Sequence, residues 1–232
     1  MGEHLSIREL TRPEMNDAAD LVARAMQENR LNIAAFGANP TLRAARVQRM
    51  FRILLPTIHR KGFVLGAVDG GGLVGIAASM PSSRCQPSAS EKLVIAARIL
   101  QAVGPVGFVR MLRWTQVWAA HDEDLPHWHL GPVAVDAHLQ GGGIGSTLMS
   151  EYCRRLDRAA AIGYLETDKG LNTRFYTRFG FRTAGETSVL EVPNWFMRRP
   201  AAATCDEQSR RNGRGVDTRH PDLRGAVARE LP

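Results

Sequence analysis

The 232-residue chain has few cysteines and no long apolar run, and each absence excludes a class of protein. Its three cysteines, Cys85, Cys153 and Cys205, are far apart and odd in number, so neither a disulfide framework nor a zinc site is indicated. No uninterrupted apolar run approaches the ~20 residues that span a bilayer. The N-terminus also lacks the basic-then-apolar layout of a signal peptide. We therefore expect a protein without a metal or a membrane partner, located in the reducing cytoplasm.

A stripe of Lys and Arg interleaved with aromatic residues is also missing, although the net charge is +7. Most of the excess positive charge is scattered arginine, so we expect no nucleic-acid partner. The length and the 44% hydrophobic content are ordinary for a single soluble α/β domain with a full core. Over residues 201–232 apolar periodicity disappears, and that composition predicts a disordered tail beyond the domain.

The most informative segment that is present is glycine-rich and covers residues 140–145, with the sequence Gln-Gly-Gly-Gly-Ile-Gly. Residues 130–135 before it form an apolar run typical of a buried strand, which Asp136 ends. A glycine-rich turn at the start of a helix exposes free backbone N–H groups at the positive end of the helix dipole, and such turns bind phosphate. The helix is predicted from residues that recur at helical spacing, namely Ile144, Leu148, Tyr152 and Leu156.

Two common phosphate-binding motifs do not fit this segment. A nucleoside-triphosphate loop requires Lys and then Ser or Thr after its last glycine, whereas Gly145 is followed by Ser146 and Thr147. The dinucleotide motif G-x-G-x-x-G fails because its third glycine position is Ser146 or Leu148, depending on the alignment. The pattern Q-x-x-G-x-G fits at every specified position.

That pattern resembles the pyrophosphate-binding loop of the GNAT superfamily of acetyl-CoA-dependent N-acetyltransferases. Residues 172–181 add the segment N-x-x-x-Y-x-x-x-G-F, which is similar to a second motif of that superfamily at the usual distance downstream. Residues 165–167 (Leu-Glu-Thr), together with Trp195 and Met197, resemble puromycin N-acetyltransferase and its relatives.

The resemblance implies an α/β (α+β) GNAT fold over residues 1–200. We expect a mixed central sheet of six to seven strands, splayed in the middle and flanked by helices, with a helical insertion at residues 84–126. The implied activity is direct transfer of an acetyl group from acetyl-CoA to the amine of a small molecule, by a monomer or homodimer. Two alternatives stay open, namely a protein N-terminal or lysine acetyltransferase and a non-catalytic acyl-CoA-binding regulatory module.

The resemblance also assigns a set of coenzyme-binding residues. Backbone N–H groups of the glycine-rich loop would hold the diphosphate, and the strand before the loop would pair with the pantetheine arm, where Pro132 interrupts the ladder. Asn172 would either cap the following helix or bond the coenzyme, and Lys169, Arg174 and Arg178 would add positive charge. The predicted coenzyme-binding residues are Val133, Ala134, Val135, Gln140, Gly141, Gly142, Gly143, Ile144, Gly145, Ser146, Asn172 and Tyr176.

The predicted catalytic residues are Tyr176, His129 and Glu166. By resemblance Tyr176 is the general acid that protonates the leaving thiolate, the alternative being an aromatic ring that packs on the sheet. His129 is a candidate base because imidazole titrates near neutrality, and a structural or solvent-facing role is its alternative. His127, on the same strand face by alternation, is the reserve. Glu166 is a further candidate that could instead orient the substrate amine.

Local patterns predict several other elements. The sequence from Thr11 to Glu14 spells a capping box that opens a helix ending near Met26. A second helix is predicted over residues 42–55, closed by Pro56. Residues 63–68 and 73–78 form a predicted hairpin.

The predicted insertion contains two helices, one beginning near Ser90 and another at Pro105. In the second helix three large apolar side chains recur at helical spacing. They belong either to the core or to the lining of a substrate pocket, and they are Met111, Trp114 and Trp118.

Overall fold

The computed structural model describes residues 5–85 and 89–202, so the predicted tail lies outside the described residues apart from its first two positions. Over the described ranges a seven-stranded mixed sheet forms the centre of the fold, with the strand order β1-β2-β3-β4-β5-β7-β6. The strands are β1 (Ser6–Glu9), β2 (Phe63–Asp69), β3 (Gly72–Pro81), β4 (His127–Val135), β5 (Ile162–Thr167), β6 (Arg182–Val189) and β7 (Val192–Arg199).

Helices cover both faces of the sheet, because alternate residues of the central strands are buried on opposite sides. Leu65 and Ala77 pack against α6, whereas Val64 and Ile76 pack against α1 and α3. The helices are α1 (Met15–Met26), α2 (Arg30–Phe36), α3 (Pro40–Lys61), α4 (Ser82–Cys85), α5 (Ala89–Ala119), α6 (Ile144–Arg158) and α7 (Gly170–Thr177).

The sheet opens between β4 and β5. These parallel strands pair over His127 to Leu130, opposite Ile162 to Leu165, and no farther. The rest of β4 stays paired with β3 alone, past the cis peptide bond between Gly131 and Pro132. The splayed middle that the resemblance implies is therefore present, and it leaves one edge of residues 133–135 free of a strand partner among the described residues.

The predicted capping box is present at the start of the first helical segment. The Glu14 carboxylate accepts a hydrogen bond from the backbone N–H of Thr11 at 2.8 Å and also pairs with the Arg8 guanidinium. The segment begins as a short 3-10 helix, Arg12–Glu14, and continues into α1.

The predicted end of the second helix is wrong. Pro56 lies inside α3, which continues to Lys61. A proline removes one backbone hydrogen bond, but Leu55 and Ile58 on either side of it are buried in the core cluster beneath α1. That apolar burial offsets the lost bond, so tertiary packing overrides the local stop signal.

Helix α5 contains both helices predicted in the insertion, joined at a kink where Gly104 has φ of 75° before Pro105. Its residues Ile99, Ala102 and Val103 pack into the core. Among the described residues the segment Ser90–Ala119 is long and apolar enough to cross a membrane by length and composition, although it contains no uninterrupted apolar run of that length. Mostly buried core helices of soluble proteins pass the same test, whereas only 22% of the most apolar window of this helix is buried. A single helix of this kind is weak evidence for a membrane span.

Candidate active site

A cleft of about 680 Å³ lies where β4 leaves β5, between the glycine-rich loop and α7. Helix α6 begins at Ile144, and Gly143 precedes it with φ of 88°, a left-handed conformation that favours glycine. The N–H groups of the first turn have no partner within the helix, so they are available to an anion in the cleft. A Cβ atom at Gly141 or Gly143 would meet nothing within 4 Å, which leaves space for a ligand against the backbone.

Three cationic side chains line the same cleft, namely Lys169, Arg174 and Arg178. The Arg178 guanidinium lies 5.1 Å from the centre of the Phe175 ring, which helps to hold it in place. Together with the helix dipole these cations favour a ligand with several phosphate charges. The cleft therefore suits the diphosphate of a coenzyme, as the loop sequence indicates.

Gln140 and Asn172 both make structural contacts beside this cleft. The Gln140 amide donates to the carbonyl oxygen of Val135 at 3.0 Å, which ties the loop to the end of β4. The Asn172 amide donates to the Thr167 hydroxyl at 3.2 Å. The expectation that Asn172 caps the helix is wrong, because Lys169 occupies the N-cap position of α7. Contacts of Gln140 and Asn172 with a coenzyme stay predictions.

A second cavity, the candidate acceptor pocket, has a volume of about 390 Å³ and is lined in part by residues 129–133 of β4 and residues 166–168 at the end of β5. The rings of Trp114 and Trp118 in its wall are 5.1 Å apart and nearly perpendicular, and both also pack against core residues. The sequence left open whether these tryptophans belong to the core or line a pocket, and in the structure each does both. Large apolar side chains dominate the wall, and they include four methionines and two tryptophans: Met26, Met50, Met80, Met111, Trp114 and Trp118.

The polar end of the acceptor pocket contains a histidine–carboxylate pair. His129 Nε2 lies 2.7 Å from Glu166 Oε2, and the Glu166 side chain is only 3% exposed. Burial alone would lower the pKa of His129, but the charge and hydrogen bond of Glu166 outweigh it and raise that pKa above its ordinary value. The pair can therefore hold a proton within reach of a ligand in the pocket.

Tyr176 lies where the two cavities meet, and it borders both of them. Its side chain is buried, and burial together with the nearby charge of Asp168 raises the pKa of its hydroxyl. The phenol therefore stays protonated at neutral pH and can donate a hydrogen bond at the junction. The other residues that border both cavities are Met26, Asn29, Val133 and Asn172.

The reserve base, His127, is buried outside the described lining of the acceptor pocket. Its Nδ1 atom lies 2.8 Å from the carbonyl oxygen of Leu125. His129, Glu166 and Tyr176 thus line the two adjoining cavities, whereas His127 lines neither of them.

Sequence reasoning missed Asp168, which lines the acceptor pocket. Its carboxylate accepts from the backbone N–H of Leu31 at 3.1 Å and so fixes the start of α2 beside the pocket. Helix α2 was not predicted either, since seven residues carry little periodic signal. The sequence did contain a signal for Asp168, because it is an acidic residue directly after the buried strand that ends at Thr167.

The sequence profile of the acetyltransferase (GNAT) family matches residues 38–181, which include the splayed strand, the glycine-rich loop and Tyr176. The chain belongs to this family. It is an acyltransferase, and the GNAT family uses acetyl-CoA, the coenzyme that the anion-binding cleft suits.

Solved structures support the GNAT fold. A Corynebacterium glutamicum structure, described as histone acetyltransferase HPA2 and related acetyltransferase, has a TM-score of 0.67 and 20% identity over 88% of this chain and 99% of its own. Arylalkylamine N-acetyltransferase 2 from Aedes aegypti has a TM-score of 0.60 and 12% identity over 85% and 99%. A Brucella melitensis GNAT acetyltransferase in complex with acetyl-CoA has a TM-score of 0.50 and 18% identity over 87% and 91%. At these identities the likeness shows the fold alone.

Proposed function

We propose that this GNAT acyltransferase transfers an acetyl group from acetyl-CoA to the amine of a small, largely apolar molecule. The observation that carries the proposal is the meeting of two cavities at Tyr176. One cavity is lined by cations and a helix N-terminus, and the other is lined by methionine and tryptophan with a buried carboxylate at its end. A donor and an acceptor bound in these cavities would meet beside the phenol.

The anion-binding cleft would hold the coenzyme. The first-turn N–H groups of α6, with Lys169, Arg174 and Arg178, would bind its phosphates. The unpaired edge of residues 133–135 would bond the pantetheine amides, as a neighbouring strand would. When bound, acetyl-CoA supplies an acetyl thioester.

Two residues of the acceptor pocket would take the proton from the amine. A substrate ammonium enters beside Glu166, whose negative charge favours it. The pair of His129 and Glu166 accepts a proton, and the neutral amine nitrogen forms the new C–N bond as the C–S bond breaks. Because His129 has a raised pKa, the pair acts as a base when the imidazole is neutral.

Tyr176 would supply the proton that the leaving sulfur needs. Tyr176 borders both cavities, and the raised pKa of its hydroxyl keeps the proton in place until negative charge develops on the sulfur. The ammonium loses one proton to the His129–Glu166 pair before it attacks, and the nitrogen loses a second proton to the pair or to solvent as the amide forms. Tyr176 gives one proton to the thiolate and regains it from solvent, so one net proton is released for each acetyl group transferred.

The walls of the acceptor pocket favour a compact substrate over a protein chain. Residues of α2, α3 and α5 enclose it, whereas a peptide needs an open groove. Aryl-alkyl amines and aminonucleosides of the puromycin type combine an amine with an apolar body, and both suit this lining. A protein N-terminus or lysine is the second candidate. We also propose a cytoplasmic location, in keeping with three widely separated cysteines that indicate no disulfide framework.

A panel of amines tests the proposal. Purified protein with acetyl-CoA is assayed for release of free coenzyme A thiol with aryl-alkyl amines, aminonucleosides, polyamines, and peptides bearing a free N-terminus or lysine. We expect the highest kcat/KM with a small amine that carries an aromatic group. Faster turnover with peptides than with every small amine would refute the small-molecule assignment, and each positive is checked by mass spectrometry of the acetylated product.

A further inference from the structure

Three side chains that commonly ligate metals converge at the start of β4. One ligand atom from each of Asp122, His127 and His129 lies within 4.8 Å of the other two. The two histidines alternate on β4 and share one face of the strand, while Asp122 comes from the loop between α5 and β4. Two imidazoles and one carboxylate form a ligand set used in zinc sites that keep an open position for water.

The hydrogen bonding of His127 leaves one ring nitrogen ready to bind a cation. Its Nδ1 atom lies 2.8 Å from the Leu125 carbonyl oxygen, which only accepts, so Nδ1 carries a hydrogen. In the neutral ring Nε2 therefore has a free lone pair. This Nε2 atom is buried and has no hydrogen-bond partner, although an Asp122 carboxylate oxygen lies 3.2 Å away. Two electron-rich atoms this close repel each other unless a proton or a metal ion lies between them, so the pair offers two ligand atoms to a cation.

The spacing of these two atoms suits a shared metal ion. Zinc binds histidine nitrogen and carboxylate oxygen at about 2.0–2.2 Å, so two ligands of a tetrahedral site lie about 3.3 Å apart. The distance between His127 Nε2 and Asp122 Oδ1 is 3.2 Å. The ligand atom of His129 lies within 4.8 Å of the other two, so side-chain shifts of up to about 1.5 Å would bring all three to tetrahedral spacing. The Asp122 side chain is 44% exposed on a loop and can adjust its position.

Hydrogen-bond acceptors next to His127 and His129 orient both rings, as such acceptors usually orient histidines that bind metals. A ligating imidazole commonly donates its other N–H to a carboxylate or a backbone carbonyl. His127 uses the Leu125 carbonyl for this purpose, and His129 places Nε2 against the buried carboxylate of Glu166. Each ring therefore has its second nitrogen available for a metal.

We propose that Asp122, His127 and His129 form a binding site for a divalent transition-metal ion, with Zn²⁺ the best fit and water completing its coordination. Mg²⁺ and Ca²⁺ are disfavoured because they prefer oxygen ligands, and two of these three ligands are imidazoles. The cysteine count predicted no metal, but this site uses no cysteine and exists only in the folded chain. A metal ion on the second nitrogen of His129 would occupy the lone pair that the base role proposed above requires, so the metal-loaded protein should transfer acetyl groups more slowly than the metal-free protein. Metal binding itself is measured without acetyl transfer.

Cobalt and zinc titrations test this site. Untagged full-length protein is stripped with a chelator, dialysed, and titrated with CoCl₂ while the visible d–d absorption is recorded, and with ZnCl₂ by calorimetry. We expect saturable one-to-one binding with the intense bands of four-coordinate Co²⁺. Losing an outer-sphere partner typically weakens metal affinity about 10–100-fold, so Asp122→Asn and His127→Gln should lose at least that much.

A matched control separates this site from adventitious binding. His138→Gln removes an exposed histidine that also lies near an aspartate, Asp136, on another part of the surface, and it should bind metal as the wild type does. Asp122→Asn is on an exposed loop, so it stays informative if His127→Gln fails to fold by near-UV circular dichroism. Absence of saturable binding, equal affinity in Asp122→Asn, or an equal loss in His138→Gln would each overturn the proposal.

Discussion

At the scale of single residues, position relative to the two cavities separates the candidate catalytic groups. Tyr176 borders both cavities, and His129 with Glu166 borders the acceptor pocket. Phe175 and Phe179 pack against the same core cluster as Tyr176, and Phe175 also lines the anion-binding cleft. Of these three aromatic residues, Tyr176 borders both cavities and carries a hydroxyl that can donate a proton.

Replacing Tyr176 with Phe removes the hydroxyl and keeps the ring, so packing should survive while the general acid is lost. We expect kcat to fall about 10²–10⁴-fold with little change in coenzyme affinity. Stopped-flow measurement of thiol release with the best amine gives the rate of the chemical step, and calorimetry gives the coenzyme affinity.

Tyr152→Phe is the matched control for that experiment. Its hydroxyl is buried and donates to the Trp128 carbonyl at 3.2 Å, outside both cavities. This variant should lose stability and keep its turnover number. A Tyr176→Phe enzyme with near wild-type chemistry would leave Tyr176 with a packing role alone.

At the scale of elements, the turn from β4 to α6 forms the coenzyme cleft. The strand loses its β5 partner beyond Leu130, the loop is tied back by Gln140, and the helix begins with free N–H groups beside Ser146. The loop and the helix start have local causes. Gly143 adopts a positive φ, the Gln140 amide reaches a nearby carbonyl, and the first turn of a helix leaves its N–H groups free. The sequence alone therefore predicts both the position of this turn and its phosphate-binding type.

Replacing Ser146 with Asp separates ligand binding from helix stability. A carboxylate in the first turn interacts favourably with the helix dipole, so stability should stay level or rise by about 0.3–1 kcal/mol. The same charge would repel the coenzyme diphosphate across the cleft, and we expect acetyl-CoA affinity to fall at least ~10-fold.

Ser146→Asn is the neutral control of similar shape and should keep most of the affinity. Calorimetric titration with acetyl-CoA, in low and high salt, measures both variants. An Asp variant that binds as tightly as the Asn variant would show that the diphosphate lies elsewhere.

At the scale of the whole molecule, helices from the first half of the chain complete a site whose chemistry comes from the second half. Met26 of α1 and Met50 of α3 reach the same pocket as His129 and Glu166. The orientation of α1 depends in part on its start, where Arg8, Thr11 and Glu14 bond one another. Acid should weaken this anchor.

The Glu14 contacts make a pH-dependent contribution to the free energy of unfolding. Hydrogen bonds from Arg8 and Thr11 lower the pKa of Glu14 from 4.5 to about 2. A group whose pKa is lower in the folded state stabilises the fold above its unfolded pKa and loses that effect as pH falls through the folded value. We therefore expect Glu14→Gln to be less stable than wild type near pH 6, with the gap closing between about pH 4.5 and 2.

Chemical denaturation at several pH values measures this difference. Gln can still accept the bond from Thr11, so the variant loses mainly the ion pair with Arg8. An exposed ion pair contributes about 0.2–1 kcal/mol, which sets the scale expected near neutral pH. Asp17→Asn removes the neighbouring carboxylate at the start of α1 and leaves the Arg8–Glu14–Thr11 contacts, so it serves as the control. A gap between Glu14→Gln and wild type that is constant with pH would contradict the assignment.

The sequence by itself determined the elements whose causes are local. The glycine-rich turn, the capping box and the hairpin before α4 follow from residue type and spacing, and each is present. The α/β (α+β) class was implied by the family resemblance of the motifs, and it is also present. Local rules failed where distant packing decided the outcome. Helix α3 runs through Pro56 because its apolar face is buried, and α2 depends on Asp168, more than 130 residues away in the chain.

Tertiary structure alone decided which side chains share a site. His129 and Glu166 are on adjacent parallel strands, and their 2.7 Å contact depends on a register that no spacing in the sequence reveals. The same holds for Asp122 beside His127, where a loop end meets a strand. Residue types set what each group can do chemically, whereas the pairing of strands and packing of helices set the distances, burial and charges that give these groups a common function.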